Sequence, residues 1–377
     1  MGSNTNNAPI RVLNMFTIMN RGGAETMVMN YYRHIDREKV QFDFLVHRDQ
    51  RGDYDNEIES LGGRIYRMYP IYPQNFAKYK SDIHTFFKEH PEYRIIHSHM
   101  SELGYFAFKE AAKQGLPVRI CHAHSAPRGF DIKMVMRNYF KKRMMPYITH
   151  SFMCGLESGR WLYGKQNESR FIMLNNAIDA AAYTLAPAKR TEIRRQLGLA
   201  DEFVVGHVGR FNPQKNHSFL LGIFAALLKK EPNAVLLLVG GGEDMPKMQA
   251  KARELGIAER VRFMGVRSDV ADLMQAMDEF AFPSLYEGLP VTMVEAQAAG
   301  LPCIISDKIP PECILTAGLV DVMPLSAGAE AWADAILEKR NTPRTDRSTE
   351  IAAHGFDITT EAVKLQEFYL SAYEQNC

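Results

Sequence analysis

The chain has 377 residues, enough for two domains that each bury a core, and its 45 Lys+Arg against 44 Asp+Glu leave a formal charge of +1. That balance gives no overall pull towards nucleic acid, and no aromatic-studded basic motif of an RNA binder appears. The five cysteines (Cys121, Cys154, Cys303, Cys313, Cys377) lack CxxC spacing, which speaks for reduced thiols in a cytoplasmic compartment rather than a disulfide frame. The first nine residues are polar and read as a lead-in without the apolar core of a signal peptide. Strand-like apolar runs follow at 10–16, 42–46, 94–97 and 118–121, with helical patterns between them. The rhythm repeats at 203–208, 234–239, 261–263, 279–282 and 303–305. Runs this short cannot cross a bilayer. Near-continuous apolar strands alternating with helices predict an α/β fold of two parallel, doubly wound sheets covered on both faces, with the cleft between the two domains as the default ligand site. The seam is placed within 175–186, giving domains 9–178 and 179–357. The tail carries Val363, Leu365, Phe368, Tyr369 and Ala372 at helical spacing and is expected to return, over 358–377, to the first domain.

Several segments carry chemistry. Gly22 and Gly23 follow the first strand and open a helix, so backbone could approach a ligand there; the pattern is not GxGxxG, and a nicotinamide dinucleotide is disfavoured. Asp53-Tyr54-Asp55 precedes a helical pattern and reads as a set of N-cap acids rather than a metal-holding pair. His97-Ser98-His99 and His122-Ala123-His124 each put two imidazoles on one face of a strand end. Four histidines could in principle ligate zinc, and equally could hydrogen-bond sugar hydroxyls. The run from Arg128 to Pro146 interleaves Lys133, Arg137, Lys141, Lys142 and Arg143 with Met134, Val135, Met136, Tyr139 and Phe140. It fits a helix lying on an anionic membrane surface as well as an ordinary amphipathic helix.

In the second half, Val208-Gly209-Arg210 leaves a strand through a glycine, and Lys215 follows Arg210 across a Pro turn. A forked guanidinium and a mobile ammonium suit a diphosphate. Gly240-Gly241-Gly242 reads as a strand-to-helix turn. Glu287 and Glu295 bracket Gly288, Leu289, Pro290 and Val291, and with Pro290 in the first helical turn the free amides there would form an anion cradle. Two acids flanking such a cradle suggest a ligand with both phosphate and hydroxyls.

Together these motifs resemble the family 4 retaining glycosyltransferases of GT-B architecture, over nearly the whole chain and most strongly from Val208 to Pro302. The resemblance implies that Arg210 and Lys215 are the diphosphate-binding pair. It also implies that Glu287 lies by the donor sugar, that Glu295 holds the nucleotide ribose, and that Gly288 to Val291 form the backbone cradle. By the same resemblance Gly22 and Gly23 are the N-terminal glycine loop, His124 is the donor-site histidine and Val266 flanks the nucleobase; His99 and Gly209 join the expected substrate contacts. Asn176-Ala177 departs from the Asn-Gly of many relatives. The first half is closest in tone to bacterial exopolysaccharide and capsule enzymes, whose acceptors are typically lipid-linked saccharides. The expected activity is metal-independent transfer of a hexosyl unit from a nucleotide diphosphate sugar, UDP-linked, by a cytoplasmic protein peripheral to the membrane, with no resident cofactor. The alternatives are a nucleotide-sugar epimerase of the same architecture and a His-ligated metal hydrolase.

Overall fold

The computed structural model describes residues 8–125 and 133–376, and forms two compact units. The first takes the chain up to Ala177 and again from Ile358, and the second is Ile178–Asp357.

The first unit carries seven strands: β1 (Ile10–Phe16), β2 (Val40–Val46), β3 (Ile65–Arg67), β4 (Ile95–Ser98), β5 (Val118–Ala123), β6 (His150–Met153) and β7 (Phe171–Met173). They lie in the order β3-β2-β1-β4-β5-β6-β7, every pair parallel. The second unit repeats the plan with β8 (Phe203–Val208), β9 (Ala234–Val239), β10 (Val261–Phe263), β11 (Glu279–Phe282), β12 (Cys303–Ser306) and β13 (Val320–Met323), in the order β10-β9-β8-β11-β12-β13 and again all parallel.

Alternation along each strand sends side chains to two separate cores, as a sheet covered on both faces requires. Val12, Phe42 and Phe44 pack into one layer of the first unit, and Leu13, Met15 and Leu45 into the other. In the second unit Val205, Leu236 and Leu238 face Trp332, while Val204, Val235 and Leu237 face Met274 and Met293. Strand order reverses between β1 and β4 in the first unit and between β8 and β11 in the second. These switch points open a crevice at the carboxyl ends of the strands.

The chain returns to the first unit as the helix Ile358–Asn376, which packs on Gly23–His34. Leu365, Tyr369 and Ala372 are buried there, whereas Val363 turns outward at 50% exposure. Asp53-Tyr54-Asp55 departs from the capping expectation. Tyr54 holds the cap position of the helix Asp55–Ser60 without a side-chain cap bond; Asp53 accepts from the Arg21 amide at 3.1 Å, and Asp55 is ion-paired with Arg67. The two acids brace the loop after β1 and strand β3. Cys121, Cys154, Cys303 and Cys313 are free and buried. No helix among the described residues is long and apolar enough to cross a membrane.

Candidate functional site

In the second unit two loops leave the strands that flank the switch point, and side-chain hydrogen bonds stitch them together. After β8, Asn212 Oδ1 accepts the Lys215 amide at 3.3 Å and closes the turn Pro213–Lys215. Asn216, in the left-handed region at φ 55°, donates through Nδ2 to the Pro283 carbonyl beyond β11 at 3.1 Å. The Leu285 amide donates to the Gln214 carbonyl at 2.8 Å. This weave delivers Lys215 Nζ to Glu287 Oε1 at 2.7 Å, both side chains largely buried at 13% and 7% exposure. Gln214 Nε2 donates to Glu287 Oε2 at 2.9 Å, and the ammonium lies 4.5 Å from the Phe282 ring centroid. A Cβ on Gly209 would stand 3.1 Å from Lys215 Cδ and Cε, so the glycine clears the path of the lysine stem.

Pro290 does not enter the helical turn. It occupies the cap with φ −74° and an extended ψ of 112°, and the helix is Val291–Ala298. Glu295 therefore lies just over one turn inside the helix. The cradle survives the shift: among the described residues, the amides of Gly288, Leu289, Val291 and Thr292 donate to no backbone carbonyl, and they sit at the positive end of the helix dipole. Glu295 Oε1 accepts from the Tyr183 hydroxyl at 2.8 Å, while burial pushes its carboxyl up from the usual range. Arg210 is exposed at the end of β8 and makes no ion pair among the described residues; Val266 is 68% exposed. The Gly240–Gly242 turn answers to close packing. A Cβ on Gly240, at φ 138°, would fall 2.1 Å from the Gly209 carbonyl oxygen.

In the first unit the switch point carries the histidines. The four rings form a packed group on adjacent strand ends: His97 and His99 stack at 4.4 Å, His122 and His124 at 4.2 Å, and His97 and His122 at 5.3 Å and 18°. His97, His99 and His122 bring one nitrogen each within 4.8 Å of the others; the His97 ring lies at 26° to His99 and 18° to His122, and His99 and His122 are tilted by 43°. Burial holds all four in the neutral form, with His124 depressed to about 4 and the other three well below their ordinary value. His97 Nδ1 lies 2.7 Å from the Tyr369 hydroxyl, which ties the group to the returning helix. His99 has both nitrogens engaged, Nδ1 with His124 Nε2 at 2.8 Å and Nε2 with Asn14 Oδ1 at 3.4 Å.

Gly22 and Gly23 stand at the start of the helix Gly23–His34. Gly23 has neither a positive φ nor any atom within 4 Å of a built Cβ, so the fold itself does not demand glycine there. Sequence reading missed Gln214, Tyr183, Asn14 and Tyr369. Gln214 adjoins Lys215 and could have been found by asking what holds Glu287. Tyr183 meets Glu295 across 112 residues and Tyr369 meets His97 across 272, separations no local pattern can carry.

Two doubly wound parallel units, one with a lysine–glutamate pair and open amides at its switch point, define a nucleotide-sugar enzyme of the GT-B class. The model of the glycosyl transferases group 1 matches residues 189–343, and that of glycosyltransferase family 4 matches 21–155. The chain is 36% identical to EpsF of Bacillus subtilis (strain 168), a protein named as a glycosyltransferase, over 98% of this chain and 99% of the relative. It is 24% identical to a UDP-Gal:alpha-D-GlcNAc-diphosphoundecaprenol alpha-1,3-galactosyltransferase of Escherichia coli, over 74% and 76% of the two chains. The solved structure of Anabaena Alr3699/HepE in complex with UDP and glucose superposes with a TM-score of 0.76 at 20% identity, covering 96% of this chain and all of that one. The chain belongs to the family 4 glycosyltransferases of GT-B architecture. It is a glycosyltransferase that draws on a nucleotide sugar.

Proposed function

We propose that the protein transfers a hexosyl unit from a UDP-sugar to a hydroxyl of a lipid-linked saccharide, in exopolysaccharide or capsule synthesis, with retention at the anomeric carbon. The observation that carries this reading is the switch point of the second unit, where Lys215, Gln214 and Glu287 are locked together beside the unbonded amides of Gly288, Leu289, Val291 and Thr292. A diphosphate arriving there meets the amides, the helix dipole and the Lys215 ammonium, with the exposed Arg210 guanidinium on the same loop. In the transfer step the acceptor oxygen bonds to C1 as the C1–O bond to the β-phosphate breaks. The acceptor proton passes to the departing phosphate oxygen on the same face, and UDP leaves. Preorganised positive charge stabilises that leaving group, so the step calls for no metal and no protein nucleophile. Glu287, held from two sides, orients the sugar; Glu295, fixed by Tyr183, takes the ribose hydroxyls. The UDP donor and the lipid-linked acceptor are supported by the activity in the name of the Escherichia coli relative, and UDP also by the ligand of the Anabaena structure.

The test incubates the protein with UDP-galactose or UDP-glucose and a diphosphoundecaprenol-linked N-acetylglucosamine, and reads the anomeric coupling of the product by NMR. An α-linked product is expected. A β-linked product would remove retention, and an isomerised UDP-sugar formed without acceptor would favour an epimerase.

The acceptor's lipid gives a role to the helix Lys133–Met144. Phe140 and Met144 are buried, while Val135, Met136 and Tyr139 are exposed beside Lys142 and Arg143, whose guanidinium lies 4.9 Å from the Tyr139 ring centroid. Lys141 turns inward to the Trp161 carbonyl at 2.8 Å, and Arg137 towards Glu102 at 3.5 Å, so only part of the basic run faces out. Arg128 and Asp131 lie outside the described residues. Lys142→Glu with Arg143→Glu is expected to weaken co-sedimentation with vesicles containing phosphatidylglycerol by about 10-fold or more, at roughly 1 kcal/mol per basic residue, and to leave UDP affinity unchanged. Undiminished vesicle binding would remove the membrane claim.

A further inference from the structure

We propose that Asn14, acting through His99, fixes the tautomer of His124 so that its Nδ1 lone pair stands ready to accept a hydrogen bond from a sugar hydroxyl of the substrate. The inference rests on the reading of His124 as a substrate-contacting histidine and supplies the two positioning residues behind it.

The relay begins at the first unit's switch point. Asn14 is buried on β1 at 1% exposure, and its Nδ2 faces the Val12 carbonyl at 3.5 Å. That contact orients the amide with Oδ1 towards His99 Nε2, at 3.4 Å. A carboxamide oxygen only accepts, so His99 carries its proton on Nε2. A neutral imidazole has one N–H and one lone pair, which leaves Nδ1 of His99 as the acceptor in its 2.8 Å contact with His124. His124 must then donate from Nε2, and its own Nδ1 is the unprotonated nitrogen. Each step follows from the donor and acceptor inventory once the amide is oriented.

The rings cannot turn away from this assignment cheaply. His99 stacks on Phe16 at 4.3 Å and 9° and on His97 at 4.4 Å and 26°, and the His99 amide donates to the Met15 carbonyl at 3.0 Å, which pins the backbone at the end of β4. His124 stacks on His122 at 4.2 Å. Burial keeps both rings neutral, so the relay is not scrambled by a second proton. The consequence is specific. His124 in this state receives an O–H from a hydroxyl and does not donate from Nδ1 to a phosphate or ether oxygen.

The experiment uses the full chain labelled with 15N-histidine and reads ring tautomers at neutral pH by long-range proton–nitrogen correlation, with His99→Phe and His124→Gln to assign the signals. The expected result is Nε2–H on both His99 and His124. Asn14→Leu, which removes the oxygen and keeps the volume, should let the Nδ1–H form of His124 appear. It should also lower kcat for UDP release from UDP-galactose, with diphosphoundecaprenol-linked N-acetylglucosamine present, by about 10- to 100-fold, the scale of a misaligned contact, while KM for the donor holds. Asn14→Asp, which keeps an acceptor at that position, should restore the Nε2–H form. His124 protonated on Nδ1 in the unaltered protein would overturn the proposal, as would an Asn14→Leu variant, with its melting transition retained, whose tautomer or kcat is unchanged. A relay found as described, together with full transfer by His124→Ala, would instead strike the substrate-contacting reading of His124 on which the proposal rests.

Discussion

Replacing Lys215 with methionine is expected to lower kcat/KM for sugar transfer by at least about 100-fold, the scale seen when one preorganised donor to a developing anion is removed. Two effects act together. On the proposed function the leaving diphosphate loses a buried cation, and Glu287, largely buried and 2.7 Å from the ammonium, is left with its charge uncompensated on that side, which adds repulsion where the proposed diphosphate would bind. Gln214 continues to donate to Oε2, so the loop between Pro283 and Glu287 keeps one of its ties. Melting of the variant separates loss of fold from loss of function, and calorimetry with UDP reports donor binding alone. The double variant Lys215→Met with Glu287→Gln should recover part of the lost UDP affinity by relieving the repulsion. A single variant that melts normally and transfers at the rate of the unaltered enzyme would remove Lys215 from the mechanism.

The second large effect is acid instability that sets in first in the first unit. Burial lowers His47 from 6.5 to about 4, lowers His124 to about 4, and pushes His97, His99 and His122 well below the ordinary range. A depressed pKa means that the unfolded chain binds the proton first, so stability present above pH 6.5 is lost progressively as pH falls towards 4. For His47 alone, 2.5 pH units at 1.36 kcal/mol each come to about 3 kcal/mol. A few such groups exceed the margin by which a domain is folded.

The second unit has His207 and His217 depressed as well, but the buried carboxyls of Glu279 and Glu295 are raised. A raised carboxyl works in the opposite sense: it stabilises below its unfolded value of 4.5 and loses that contribution as pH rises through the folded pKa, so acid favours those two groups. Hydrogen exchange followed from pH 7 to 4.5 is expected to show the amides of β1, β4 and β5 losing protection before those of β8, β9 and β11. Simultaneous loss in both units, or earlier loss in the second, would refute the assignment of the acid response to the histidine group.

How much of this was legible beforehand depends on burial. β8, β9, β11 and β12 stand where the apolar runs at 203–208, 234–239, 279–282 and 303–305 put them, because strands covered on both faces must be apolar at nearly every position; β10 is an edge strand, marked only by Val261 and Phe263 on either side of Arg262. β3, β7 and β13 escaped notice. They are short edge strands with half-exposed residues, and an edge strand with one side open carries no continuous apolar run. β6 lies inside the sheet but spans only His150–Met153 and begins with a histidine and a serine.

The sequence alone determined which chemistry is present: a lysine five residues after an arginine at the end of one strand, two glutamates bracketing a glycine–proline loop, and two His-x-His pairs. These follow from spacing along a strand end or a helix mouth, and spacing survives in one dimension. Tertiary structure decided which of those groups meet. It paired Lys215 with Glu287, placed Tyr183 on Glu295, turned Lys141 inward, and ran a chain of hydrogen bonds from Asn14 through His99 to His124. Each of these contacts joins two different elements of the fold, 20 to 112 residues apart along the chain, and the direction of a hydrogen bond depends on atoms within about 3 Å of each other, a distance that only the folded packing sets.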